Sequence, residues 1–165
     1  MEVVPDASAG HSHLIIGKSR YCSVREPFLD AIAMLERQNT LYVSSGPGEA
    51  LLYKLSPKGL LAVRADLQCE DSTRIAKAFS VLIETIHRAS SISLVIEQNG
   101  HPHLVTASSS LCCLSEPFLH ALVQLEHRKL VQVNSKYEFR LSSKGVLSVQ
   151  GLIQTVGGES KPRAS

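Results

Sequence analysis

The sequence predicts a duplicated α+β fold, and three observations support this prediction. Residues 10–14 (GHSHL) return as residues 100–104 (GHPHL), and the same offset relates two EPFL segments, 26–29 and 116–119. Each copy mixes strand and helix patterns, and an amphipathic pattern lies between the copies. Because self-similarity at a fixed offset is the signature of a repeated structural unit, we expect two copies of one α+β unit.

The offset between the copies changes at one place, which locates an insertion. Residues 55–59 (LSPKG) match residues 141–145 (LSSKG) at an offset four residues shorter than before. The insertion therefore falls in a loop within residues 44–49 (SSGPGE). The expected organisation is a first repeat over 1–66, a connecting amphipathic helix over 67–90, a second repeat over 91–156 and a disordered tail over 157–165.

The connecting helix is predicted by one apolar stripe that continues over three turns. Its members recur at i, i+3, i+4, i+7, i+8 and i+11, namely Ile75, Ala78, Phe79, Leu82, Ile83 and Ile86. Asp71 or Ser72 can cap the first turn, since short polar side chains accept from its free N–H groups.

The second repeat begins with a hairpin. Asn99-Gly100 lies between two runs rich in β-branched residues, 93–97 and 103–106, which is the strongest short-range hairpin pattern. The first repeat has a weaker equivalent, with strands at 3–4 and 13–16 around the loop 6–10.

A helix follows in each repeat, and then two short strands. The later helix is expected over 116–129, with Ser115 as its cap and Pro117 in its first turn. The apolar faces match between the copies, being Phe118, Leu119, Leu122 and Leu125 in one and Phe28, Leu29, Ile32 and Leu35 in the other. The strands are expected at 130–133 and 137–141, and at 41–43 and 51–55.

The helix and the strands of this block resemble part of a known domain. Residues 115–131 (SEPFLHALVQLEHRKLV) and 137–145 (YEFRLSSKG) are similar to the recognition helix, its LxxLExxxLV exit, the wing strands and the YxLTxKG close of the MarR and ArsR regulators. The first copy keeps Leu35-Glu36, residues 53–56 (YKLS) and Lys58-Gly59. The resemblance implies two tandem winged-helix-like repeats joined by the amphipathic helix. The element order also fits a roadblock-like or longin-like module, whose usual role is protein binding.

The resemblance implies a nucleic-acid interface in the second repeat. Major-groove recognition needs projecting Arg, Lys, Asn or Gln side chains, with cations for phosphate. The second repeat offers His120, Gln124, His127, Arg128, Lys129, Lys136, Arg140 and Lys144. The first offers Asp30, Met34, Arg37 and Gln38, and since an aspartate repels phosphate, these residues suit a protein partner better. A merely solvated helix face is the alternative for both sets.

A His-x-His pair followed by cysteine occurs once in each repeat. The two sets are His11, His13 and Cys22, and His101, His103 and Cys112. Side chains at i and i+2 of a strand point the same way, so each pair could hold one metal with the cysteine as third ligand. No fourth ligand repeats at the same offset, and both cysteines can instead be small core residues. The sequence alone therefore assigns neither a metal nor another cofactor.

Composition and motifs exclude several classes of function. The net charge of +2 is too small to predict nucleic-acid binding by itself, and no apolar run reaches the ~18 residues of a membrane span. Four cysteines without a secretory signal predict an intracellular protein of the nucleus or cytoplasm. No nucleophile elbow, phosphate-binding glycine loop or paired-acid motif occurs, so we do not expect an enzyme.

Two functions follow from these patterns. The first is a non-enzymatic tandem winged-helix factor, a DNA-associated regulatory or assembly protein. Its second repeat would contact duplex or single-stranded DNA, and its first repeat a partner protein. The alternative is a pure protein–protein adaptor or complex subunit with no nucleic-acid contact. Homo-oligomerisation stays open in both.

Overall fold

The computed structural model describes the backbone of residues 1–157 and the side chains of residues 1–151. It confirms the α+β class, with two separate antiparallel sheets. The chain divides into two compact units, Met1–Ala65 and Asp66–Ser165. The tail predicted for 157–165 lies outside the described residues, except that Gly157 ends the last helix.

The first unit is a five-stranded sheet with two helices. Its elements are β1 (Glu2–Asp6), β2 (His11–Ile16), β3 (Ser19–Cys22), α1 (Phe28–Arg37), β4 (Leu41–Ser45), β5 (Leu51–Leu55) and α2 (Pro57–Val63), before a 3-10 turn (Ala65–Leu67). The strand order is β3-β2-β1-β5-β4, and every pairing is antiparallel.

The second unit repeats this arrangement and adds a helix before it. Its elements are α3 (Ser72–Ala89), β6 (Ile92–Ile96), β7 (Pro102–Val105), β8 (Ser110–Cys112), α4 (Phe118–His127), β9 (Val131–Val133), β10 (Glu138–Leu141) and α5 (Ser143–Gly157). The strand order β8-β7-β6-β10-β9 is that of the first sheet, element for element. The predicted duplication is therefore confirmed at the level of topology, and the insertion lies in the β4–β5 hairpin.

Each sheet buries one face under its helices. In the first unit, Val3, Leu14, Ile32 and Leu41 form the core. In the second, the fully buried side chains include Leu104, Leu122, Leu125 and Phe139. Because successive residues of a strand point to opposite faces, the neighbours of Leu14 and Leu104 lie on the outer face of each sheet. His13 and His103 are among these neighbours.

Helix α3 is the amphipathic helix that the sequence predicted, and the structure groups it with the second unit. Its Asp71 cap accepts from the N–H groups of Thr73 and Arg74 at 3.0 and 3.1 Å. Leu82 is completely buried in its apolar face. The helix packs against α4 and α5 and against strand β10. It is thus an integral layer of the second unit.

The repeated Ser-x-Lys-Gly motif has a structural role in both units. In the second, the Ser142 hydroxyl donates to the Lys129 carbonyl and accepts from the Gly145 N–H. The Lys144 ammonium donates to the Arg128 carbonyl at 2.9 Å, at the C-terminus of α4. A Cβ on Gly145 would lie 2.1 Å from the Leu130 carbonyl oxygen. Ser56, Lys58 and Gly59 make the same contacts in the first unit.

Three features depart from the sequence-based expectations. Strands β3 and β8 were not predicted, and the segments after Ser56 and Ser142 are helices. Helix α4 is followed by the hairpin β9–β10, but β10 also pairs with β6. The hairpin is thus part of a continuous sheet, and the winged-helix part of the fold prediction is not confirmed. Over residues 1–157, no helix is both long and apolar enough to cross a bilayer.

Candidate functional site: a histidine–cysteine cluster and the exposed face of α1

The outer face of the first sheet gathers His11, His13 and Cys22 in one cluster. His11 and His13 are two residues apart on β2, and Cys22 is the direct cross-strand partner of His13 on β3. Directly opposed side chains lie on the same face with Cβ atoms about 4.5–5.5 Å apart. The three potential ligand atoms all lie within 4.8 Å of one another. The pattern in the sequence is thus a cluster in space.

The second sheet holds an equivalent cluster at the same place. His103 on β7 is opposite Cys112 on β8, and the ligand atoms of His101, His103 and Cys112 also lie within 4.8 Å of one another. His101 is exposed, whereas His103 and Cys112 are half-buried. The same topology, with the same register between β2 and β3 as between β7 and β8, therefore produces the same donor set twice.

A carboxylate adjoins each cluster, although the offset between the two repeats did not indicate it. Asp6 lies 3.9 Å from His13 Nδ1, and Glu97 lies 3.6 Å from His103 Nε2. Asp6 is the strand partner of His11, and the Glu97 N–H donates to the His101 carbonyl in the corresponding place. The hairpin loop of the second unit is one residue shorter. The two acids therefore do not align at the offset that relates the histidines.

Hydrogen bonds fix the protonation pattern of the first cluster. The Arg20 guanidinium, which can only donate, lies 3.1 Å from His13 Nδ1, so this nitrogen accepts. The ring proton of neutral His13 is then on Nε2, 3.3 Å from His11 Nε2. The His11 Nδ1–H donates to the Ala9 carbonyl at 2.9 Å. Partial burial, and then the Arg20 charge, lower the pKa of His13, which favours this neutral ring.

In the second cluster a serine takes the place of Arg20. Ser110 Oγ lies 2.9 Å from His103 Nδ1. A hydroxyl can accept as well as donate, so it is compatible with a proton on Nδ1 and a free lone pair on Nε2. The two clusters thus share their histidine and cysteine donors, and they differ in the adjoining acid and in the side chain that contacts Nδ1 of the second histidine.

Helices α1 and α4 are equivalent elements that differ sharply in exposure. Leu29 is 45% exposed, whereas its counterpart Leu119 is 1% exposed. Ala31 is exposed and Ala121 is completely buried. Among the residues of α1 only Ile32 is buried, while five of the ten residues of α4 are. The same sequence pattern is therefore open in the first unit and enclosed in the second.

Helix α3 explains much of this difference because it packs along α4. The Arg74 guanidinium donates to the Ser115 carbonyl at 2.9 Å and lies 3.5 Å from the Glu116 carboxylate. The N–H of Cys69, just before α3, donates to His120 Nε2 at 3.1 Å. Among the described elements of the first unit, none takes the place on α1 that α3 takes on α4.

Four of the eight residues predicted to bind nucleic acid make contacts within the second unit. His120 accepts from the backbone, the Arg128 guanidinium stacks 4.9 Å from the centre of the Phe79 ring, and Arg140 pairs with Glu138 at 3.1 Å. Lys144 donates to a carbonyl, as described above. Gln124 is half-buried, and His127, Lys129 and Lys136 are exposed.

The residues predicted to bind protein lie together on the outer side of α1. Asp30, Met34, Arg37 and Gln38 are all exposed. Met34 is 52% exposed, and Arg37 donates to the carbonyl of Ala33 in its own helix. The structure thus brings these four residues together on one open helix surface.

Comparisons with known proteins add no assignment. No family model matches the chain, and searches of curated proteins and of solved structures find no match either. The histidine–cysteine clusters and the exposed face of α1 are therefore the basis for inferring a function.

Proposed function

We propose that the chain is a non-enzymatic protein-binding factor whose first unit accepts an amphipathic helix of a partner protein on α1. The observation that supports this most is the contrast between Ala31, which is exposed, and Ala121, which the second unit buries completely. The strand order is the same in both units, but α1 leaves exposed, among the described residues, the face that α3 covers on α4. The proposal corresponds to the protein-contacting role that the sequence suggests for the first repeat.

The binding surface is a strip of apolar side chains along α1, formed by Pro27, Ala31 and Met34. Positions four and three residues apart lie on the same side of a helix, so these side chains are neighbours. In the second unit the counterparts of Pro27 and Ala31 are buried. Exposed apolar surface of this kind is used for helix-in-groove recognition, in which a partner helix inserts anchors at i, i+3, i+4 and i+7.

Methionine strengthens the case for a binding role at this strip. Met34 occupies the position of Gln124 in α4, so the open copy carries the more apolar side chain. A long thioether side chain adapts its shape to an incoming surface, and methionine is common at such binding surfaces. If position 34 were only a solvated surface position, a polar residue such as glutamine would be expected there.

The contacts of α3 also define the chemistry of the partner helix. Arg74 binds the Ser115 carbonyl and the Glu116 carboxylate, and the corresponding groups of the first unit are the Arg25 carbonyl and Glu26. Glu26 is exposed. We therefore expect a helix with an apolar stripe and an arginine in its first turn, which would pair with Glu26.

A labelled methionine provides a direct test. The chain has two methionines, Met1 and Met34, so 13C-methyl labelling gives two signals and one of them reports on the strip. A synthetic peptide of residues 70–90, the sequence of α3, serves as the probe helix. We expect the Met34 signal to shift with added peptide and to saturate, with a dissociation constant of about 1 mM or lower. A dissociation constant of about 1 mM corresponds to a binding free energy of about −4 kcal/mol.

Matched variants make the test specific. Ala31→Glu places a charge in the strip with only a small loss of helix propensity, since glutamate is among the better helix formers, and should abolish the shift. Val63→Glu, at a position 65% exposed on α2, should leave it unchanged. An unmoved Met34 signal, or an equal shift with a scrambled peptide, would contradict the proposal. A Met34 shift that depends on protein concentration without peptide would show that a second copy occupies the strip, and would also contradict it.

A further inference from the structure

The two histidine–cysteine clusters point to a function that is independent of α1. We propose that the outer face of the second sheet binds a zinc-class divalent metal ion through His101, His103 and Cys112, with Glu97 as the adjoining oxygen donor. The first sheet carries the same donor set, but Arg20 weakens its affinity.

The spacing of the donor atoms is close to that of a metal site. Two nitrogen ligands of a tetrahedral zinc, each about 2.0–2.1 Å from the ion, lie roughly 3.3–3.4 Å apart. The His11 and His13 Nε2 atoms are 3.3 Å apart, so a His-x-His pair on this strand reaches the chelating separation. In the second unit the three donor atoms lie within 4.8 Å of one another, and the exposed His101 ring is free of the core and can turn toward the other two.

The donor set selects the class of metal. Imidazole and thiolate ligands favour zinc and neighbouring transition metals, whereas magnesium and calcium prefer oxygen. Glu97 Oε2 is 3.6 Å from His103 Nε2, close to the spacing of two ligands on one ion. This carboxylate also accepts from the Asn99 amide at 3.5 Å, and it is half-exposed, so it can turn toward the site.

The neighbours of the histidines make the two clusters unequal. A metal-ligating histidine usually donates its other ring N–H to an acceptor, which fixes the tautomer. Ser110 Oγ can accept from His103 Nδ1–H and leave Nε2 free for the ion. Arg20 instead donates to His13 Nδ1, which places the ring proton on Nε2, where the metal would bind. The Arg20 guanidinium also pairs with the Asp6 carboxylate at 3.5 Å and so engages the oxygen donor of the first cluster, which makes the second unit the preferred site.

Cobalt titration of the full, chelator-treated chain tests this assignment. Tetrahedral Co2+ replaces Zn2+ and gives visible ligand-field bands together with a thiolate-to-cobalt charge-transfer band. We expect one tight equivalent of Co2+ per chain, displaced by Zn2+ but not by Mg2+. Ser110→Ala should weaken binding roughly 10–100-fold, the usual effect of losing an outer-shell partner. Arg20→Ser should add a second equivalent.

Cysteine variants locate the site. Cys112→Ser should remove the charge-transfer band, while Cys22→Ser should retain it. Cys69→Ser, a half-buried cysteine outside both clusters, is the matched control and should also retain the band. Circular dichroism checks the fold, and His101→Ala, at an exposed position, provides a second variant if Cys112→Ser does not fold. The proposal would be overturned if the native chain gave no charge-transfer band, if the band survived in Cys112→Ser, or if the band was lost in Cys69→Ser.

Discussion

Replacing Gly145 by alanine should destabilise the second unit, because the added Cβ would lie 2.1 Å from the Leu130 carbonyl oxygen. That oxygen is backbone and cannot rotate away, and it accepts the 2.9 Å hydrogen bond from the Ser142 N–H. Relieving the overlap should cost about 1–3 kcal/mol of overpacking and about 0.5–1.5 kcal/mol of weakened hydrogen bonding. The higher helix propensity of alanine returns about 1 kcal/mol, so the net loss is about 0.5–3.5 kcal/mol.

The same helix provides the control for this experiment. No heavy atom lies within 4 Å of a Cβ built on Gly151, so Gly151→Ala should gain up to about 1 kcal/mol from helix propensity alone. Urea titrations followed by circular dichroism give the free energy of unfolding of both variants. Gly59→Ala should repeat the loss in the first unit, where the Thr40 carbonyl oxygen is also 2.1 Å away. A Gly145→Ala protein as stable as Gly151→Ala would refute the steric argument.

Three further outcomes are expected. Leu82→Ala should cost roughly 2–5 kcal/mol in urea titrations because a completely buried side chain leaves a cavity, whereas the more exposed Val81→Ala should change stability by less than about 0.5 kcal/mol. Equal losses would contradict the burial of Leu82. Burial, and then the neighbouring Cys112, raise the pKa of Cys113 to about 12, and the thiolate is the nucleophile. Iodoacetamide at about pH 8 should therefore label Cys112 and spare Cys113 in the folded chain, as read by mass spectrometry; equal labelling would contradict the burial. Lys136→Ala should leave the salt slope of duplex DNA binding unchanged in fluorescence anisotropy, while a slope flatter by about one unit would restore the DNA-associated alternative.

Much of the fold could be predicted because its signals are local. The stripe that includes Leu82 identified α3, and Asn99-Gly100 identified the β6–β7 hairpin. These patterns depend on residues a few positions apart. Such short-range patterns can be recognised from the sequence alone.

The unpredicted elements lack such a local signal. Strand β8 has three residues and β3 has four, too few to show an alternation of apolar and polar side chains. Helices α2 and α5 contain Gly59 and Gly145 in their first turns, and glycine usually argues against a helix. The requirement for glycine comes from a carbonyl some fifteen or more residues away, and no local pattern contains it.

The candidate sites show the same limit. The histidines and cysteines were visible at one offset, but Asp6 and Glu97 fall out of that register because their hairpin loops differ by one residue. Likewise, the apolar pattern of α1 resembles that of α4, and only the position of α3 reveals that one helix is covered. Exposure depends on neighbours in space, which a single helix pattern does not specify.

The placement of α3 has a consequence for dissecting the chain by expression. A fragment of residues 66–165 carries its own covering helix, so it should express as a soluble monomer. A fragment of residues 1–65 keeps Leu29 and Met34 in solvent, as in the whole chain, but loses the attached second unit, so it should self-associate or precipitate unless a helix is supplied in trans. Co-expression of that fragment with candidate helices then becomes a solubility screen, in which recovery of soluble fragment identifies the sequences that suit the first unit.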